Sequence, residues 1–124
     1  MSKRLIVMEP DTDLAACVSE FFGDQYEVTR VQTMEQLERE FEGADPALLI
    51  IDFEVCSEDR VSTFEKLHRD FPRTRIVATY FSPPASETWE RRIRENADVF
   101  IRKPYGVVDV DRAIRALDRN GGNA

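Results

Sequence analysis

The sequence predicts an α/β fold: a single doubly wound (βα)5 domain with a five-stranded parallel sheet of order 2-1-3-4-5. Two observations predict it. Short, continuous apolar runs recur along the chain, as strands buried on both faces of a parallel sheet require. Between them lie segments with apolar residues at helical spacing, so strand and helix alternate five times. Such βαβ units join through right-handed crossovers.

The runs Leu5 to Met8, Ala47 to Ile51, Ile76 to Tyr80 and Val99 to Ile101 read as buried strands. Tyr26 to Val31 alternates and carries charge, which suits an edge strand. The first helix shows Leu14, Cys17, Val18, Phe21 and Phe22 at i, i+3, i+4, i+7 and i+8, with Asp11 or Thr12 as its cap and Gly23 at its end. Met34, Leu37 and Phe41 mark a second helix, capped by Thr33. Val61, Phe64, Leu67 and Phe71 mark a third, ended by Pro72. Trp89, Ile93 and Ala97 outline a fourth, and Val110, Ile114 and Leu117 a fifth. The expected domain covers residues 1–120, with 121–124 a frayed tail or truncated linker.

Composition narrows the function classes. The chain has 124 residues and a net charge of −7, with 42% hydrophobic residues. That is one ordinary domain, long enough to bury a core without disulfides. An acidic domain repels phosphate backbones, so direct nucleic-acid binding is not expected. Two cysteines (Cys17 and Cys56) and a single histidine (His68) cannot build a zinc cluster. The longest apolar runs are about six residues, far below the roughly 20 that span a bilayer. Met1 to Arg4 leads directly into a strand rather than a signal peptide, so a cytoplasmic location is expected.

In open α/β sheets, sites form beyond the carboxyl ends of the strands. The residues there are Glu9, Pro10 and Asp11, then Asp52 to Glu54, then Thr79 to Ser82, and finally Lys103. Topology alone therefore gathers carboxylates and a lysine.

Leu48 to Asp52, the strand Leu5 to Glu9, and the run from Asn96 to Tyr105 with its Lys103-Pro104-Tyr105 together resemble the receiver domain of response regulators (CheY-like) in two-component signalling. The resemblance runs from Arg4 to about Arg119. It implies a phospho-accepting aspartate at Asp52 and a phosphate-binding lysine at Lys103, usually followed by a cis proline. It implies a hydroxyl after the fourth strand, on Thr79 or Tyr80, and a switch aromatic at Phe100. Asp59 matches an acid in the turn after the third strand. A divalent cation, Mg2+, is implied, held by Glu9, Asp52 and, as a substitute ligand, Glu54 or Asp11. The implied partners are a sensor histidine kinase or phosphotransfer protein and a downstream protein at the fourth-helix to fifth-helix face. The chemistry suits such residues: phosphoryl transfer to a carboxylate needs in-line access and neutralisation of phosphate charge.

Departures from that pattern matter equally. Pro10 stands where the family has its second acid, so weak Mg2+ binding is expected. Arg60 replaces a common glycine, Cys56 a common proline, and Ser82-Pro83-Pro84 suggests a reshaped loop. Two functions follow. One is a working phosphorelay receiver, not an enzyme. The other is a degenerate receiver, a phosphorylation-independent interaction or dimerisation module. A flavodoxin-like enzyme or nucleotide binder is disfavoured, because no glycine-rich loop flanks Glu9. Simpler alternatives stand beside each residue: a turn-capping Asp52, a solvated Glu9, a surface Lys103, an incidental Cys56. Mixed charges on the fourth and fifth helices, with Trp89 as an anchor, suit a monomer that self-associates weakly through that face. The alternative there is a Trp89 packed into its own domain.

Overall fold

A computed structural model describes residues 3–80 and 86–121. The Ser82-Pro83-Pro84 segment and residues 122–124 of the expected tail lie outside these. Ten elements alternate: β1 (Lys3–Met8), α1 (Thr12–Phe22), β2 (Tyr26–Val31), α2 (Met34–Gly43), β3 (Leu48–Asp52), α3 (Glu58–Asp70), β4 (Arg75–Tyr80), α4 (Glu87–Asn96), β5 (Val99–Arg102) and α5 (Val107–Gly121). All strand pairs are parallel, and the order is β2-β1-β3-β4-β5, as expected. The charged, alternating strand is the edge strand β2. The last helix runs through Gly121.

Side chains alternate across a strand with period two, and here each parity serves one layer. Leu5 and Val7, Leu48 and Ile50, and Val77 pack with Ala15, Val18 and Phe22 of α1 and Val110 and Ile114 of α5. Ile6 and Met8, Leu49 and Ile51, and Ile76 and Ala78 pack with Leu37 and Phe41 of α2, Val61, Phe64 and Leu67 of α3, and Ile93 of α4. All five residues of β3 are buried, consistent with its central place.

Local signals set the helix starts. Asp11 caps α1, its carboxylate accepting from the Asp13 and Leu14 N–H groups. Thr33 and Gln36 form a reciprocal capping box on α2. Ser57 and Ser86 cap α3 and α4. The stripe expected for α1 needs correction. Ala15, Val18 and Phe22 are buried, while Cys17 is exposed and Phe21 is 39% exposed. Residues 14–18 are apolar all round, so spacing does not choose a face. Small Ala15 lets the helix approach the sheet, and that rotates Cys17 and Phe21 outward.

The α3 layer is anchored by Phe64, fully buried and set edge-on to Phe53 with centroids 4.9 Å apart. Replacing Phe64 by alanine is expected to cost about 3–5 kcal/mol of stability, through lost transfer energy and an unfilled cavity. Urea unfolding followed by Trp89 fluorescence checks this, and a loss below about 1 kcal/mol would show that the α2–α4 face is not close-packed.

Candidate functional site

The alternation that builds the two core layers also builds the site. Glu9 continues the parity of Leu5 and Val7, Asp52 that of Leu48 and Ile50, and Thr79 that of Val77. Lys103 follows Val99 and Ile101, which pack on the same layer. Four polar side chains thus emerge on the α1/α5 side at the carboxyl ends of four neighbouring strands. All four are buried.

Lys103 binds them together. Its Nζ lies 2.8 Å from Asp52 Oδ1 and 2.6 Å from Glu9 Oε1. The Glu9 contact is an ion pair without hydrogen-bond alignment, and Glu9 Oε1 has no other donor among the described residues. The Thr79 hydroxyl donates to Asp52 Oδ1 at 3.3 Å. The remaining oxygens are held by backbone: the Glu54 N–H donates to Asp52 Oδ2 and the Asp11 N–H to Glu9 Oε2, each at 2.9 Å. Lys103 is positioned through its own N–H, which donates to the Tyr80 carbonyl at 2.6 Å, and the Lys103–Pro104 peptide is cis, as the resemblance implied.

Burial dominates the electrostatics. It pushes the Glu9 carboxyl above its ordinary range, with Asp52 adding to the push and Lys103 and the Asp11 N–H only partly offsetting it. Burial pulls the Lys103 ammonium down, but Asp52 and Glu9 outweigh it and hold the group above its usual value of 10.5. Tyr105, whose buried hydroxyl has no partner among the described residues, is pushed far up by burial and by the charges of Glu9, Asp52 and Asp11.

The structure chooses between the two expected hydroxyls. Thr79, paired in register with Asp52, faces the site. Tyr80 has the opposite parity and stacks on Phe100, with centroids 4.4 Å apart and planes at 38°. The Arg94 guanidinium caps the Phe100 ring at 4.6 Å. Asp59 is exposed in the first turn of α3, away from the Asp52 contacts, and Glu54 is exposed beyond its backbone bond. Trp89 packs against its own core, and its Nε1 donates to Glu58 Oε1 at 3.4 Å. The Cys56 thiol is pushed up by burial, the opposite of an activated thiolate.

Beside the carboxylates lies a cleft of about 550 Å³. Its lining includes Glu9, Pro10 and Asp52 together with Arg30, Gln32, Gln36 and Arg60, alongside apolar side chains such as Met8 and Val31. Arg60 is half-buried, and its Nη1 donates to the Asp52 carbonyl at 3.0 Å. Sequence reasoning noted Arg60 only as a departure and passed over Arg30. The usable signal was position: Arg30 is the second-to-last residue of β2, the strand next to β1, and Arg60 lies in the first turn of the helix following Asp52.

Solved structures share this architecture. A CheY-like response regulator receiver domain protein from Methanospirillum hungatei superposes with a TM-score of 0.80 at 20% identity, covering all of both chains. The chain has the receiver-domain fold. An orphan response regulator of H. pylori has this receiver fold at a TM-score of 0.74 and 15% identity, with 93% of this chain and 95% of that one covered. A Burkholderia pseudomallei response regulator, solved with a phosphorylated aspartic acid, a calcium ion and citrate, gives 0.74 at 16% identity over 99% of this chain and 74% of that one. No family model and no curated protein sequence matches the chain.

Against the Mg2+ that a receiver fold implies, the donor set here does not fit. Among the described residues no group of three or more metal-binding side chains converges. Pro10 has no side-chain oxygen, and Asp11 is held to the α1 cap through Oδ1. Glu9 and Asp52 are both turned onto Lys103.

Replacing Lys103 with methionine would leave two carboxylates buried side by side. At neutral pH this is expected to cost about 3–5 kcal/mol. Part of the loss should be recovered by about pH 5, because a carboxyl whose folded pKa is raised favours the folded state as protons are added. Urea titrations at both pH values test this, and a loss independent of pH would show that lost packing is the cause.

Proposed function

We propose that this chain is a phosphorelay receiver, a signalling module rather than an enzyme, in which Asp52 accepts a phosphoryl group from a sensor histidine kinase or phosphotransfer protein. The observation that carries the reading is the convergence on one Asp52 oxygen of the Lys103 ammonium and the Thr79 hydroxyl, at the mouth of a cleft. In the transfer, an Asp52 carboxylate oxygen attacks phosphorus in line as the phosphorus–nitrogen bond of the donor histidine breaks. Lys103 then exchanges part of its carboxylate pairing for a phosphoryl oxygen, and Thr79 donates to another. The modified domain changes its affinity for a protein docking on the α4–α5 face. Likeness to the receiver fold supports this reading, as does the regulator solved with a phosphorylated aspartic acid.

A second reading, a phosphorylation-independent interaction or dimerisation module, is favoured by one observation. Phe100 is held between Tyr80 and Arg94, so the inward movement of the β4 loop that a small hydroxyl residue permits would first have to unstack two rings. Such stacking contributes about 0.5–1.5 kcal/mol beyond area burial.

The test is intact-protein mass spectrometry after incubation with acetyl phosphate, with Asp52→Asn as control. A single added phosphoryl group, absent from the variant, is expected. Thr79→Ala should slow labelling, while Tyr80→Ala should leave it intact and enlarge the NMR shifts in α4. An unlabelled wild-type chain would leave the interaction module as the better account.

A further inference from the structure

We infer that Arg60 supplies the positive charge that a bound divalent cation provides in a metal-dependent phosphoryl acceptor, so that this site works without one. The inference rests on the reading of Asp52 as a phosphoryl acceptor. It is carried by five positions at once.

Arg60 occupies the ground itself. It stands in the first turn of α3, half-buried, with Nη1 on the Asp52 carbonyl at 3.0 Å, and it lines the cleft on which Glu9 and Asp52 open. A guanidinium keeps its charge in such a setting and presents several N–H donors in a plane, which matches phosphate geometry. Its anchoring bond to a main-chain carbonyl consumes one donor and leaves others for an anion. Burial pulls its pKa down while the Asp52 carboxylate opposes that, so the group lies within electrostatic reach of the acceptor.

The other four positions withdraw cation ligands. Pro10 offers no side-chain oxygen. Asp11 holds its carboxylate at the start of α1, Oδ1 accepting two N–H groups of that helix. Each oxygen of Glu9 and Asp52 already faces a cation or an N–H. A divalent ion entering the cleft would meet Arg60 and Arg30 rather than a third carboxylate. Among the residues that line the cleft, Glu9 and Asp52 are balanced by Arg30 and Arg60, so the cleft carries no net negative charge to draw in a cation. Transfer from acetyl phosphate needs nothing further. The Asp52 oxygen–phosphorus bond forms, the phosphorus–oxygen bond to acetate breaks, and acetate leaves as an anion.

Two measurements on the full chain test this. The first is the rate of labelling by acetyl phosphate in excess EDTA and in excess magnesium. The wild-type rate is expected to be the same in both, and Arg60→Ala should lose about a hundredfold or more in EDTA, in keeping with the loss of one preorganised donor. Arg60→Lys should retain part of that rate, which separates charge from folding. A wild-type rate abolished by EDTA overturns the inference. If no condition labels Asp52, the acceptor reading fails instead, and the second measurement still decides the role of Arg60. That measurement is a magnesium titration followed by the amide NMR signals of Asp11 and Glu54. No saturable shift is expected in the wild type, and Arg60→Ala should gain one. Saturable wild-type binding that Arg60→Ala fails to strengthen overturns the inference.

Discussion

The ammonium of Lys103 is what allows two carboxylates to share the buried end of the sheet. Desolvating one carboxylate is costly and desolvating two adjacent ones is more so, unless a cation lies between them. Lys103 lies within ion-pair distance of both. Its place depends in turn on ordinary backbone pairing, since β5 must be in register with β4 for its N–H to meet the Tyr80 carbonyl. The site is thus the polar continuation of the hydrophobic core. The parity that buries Leu5, Ile50 and Val77 also presents Glu9, Asp52 and Thr79.

A second set of interactions joins the helices on the opposite face. Arg92 of α4 reaches Glu58 at 2.8 and 2.9 Å and Glu65 two turns further along α3. Glu58 is held down at about 2, chiefly by hydrogen bonds from Arg92 and Ser62. It is exposed, so its net worth is small, but Trp89 packs beside it and the contacts together fix the spacing of α3 and α4. Glu58 sits two residues before Arg60. The first turn of α3 therefore touches the Asp52 backbone on one side and α4 on the other.

Most of the architecture was legible because period two and period 3.6 are strong signals in this chain. The Thr33 cap, the run Leu48 to Asp52 and the edge character of Tyr26 to Val31 all carry direct physical meaning in sequence. The face of α1 was not legible, because residues 14–18 offer apolar surface in every direction and only tertiary packing chooses. The choice of Thr79 over Tyr80 needed the strand register, since a shift of one residue reverses the face. Arg60 and Arg30 were harder still. A charged residue in a helix turn or on an edge strand reads as solvated until the fold brings the ends of β2 and α3 to one cleft.

The sheet's two margins have a consequence for how copies of this chain meet. Edge strands expose unpaired main-chain groups and invite strand addition from another molecule. Here β2 sets exposed Glu27 and Arg30 among its partly buried residues, and β5 is only four residues long and ends in exposed Arg102. Both margins are poor templates for cross-molecular strand pairing, one because it is charged and the other because it is short. Growth of the sheet into a continuous ribbon is thereby discouraged.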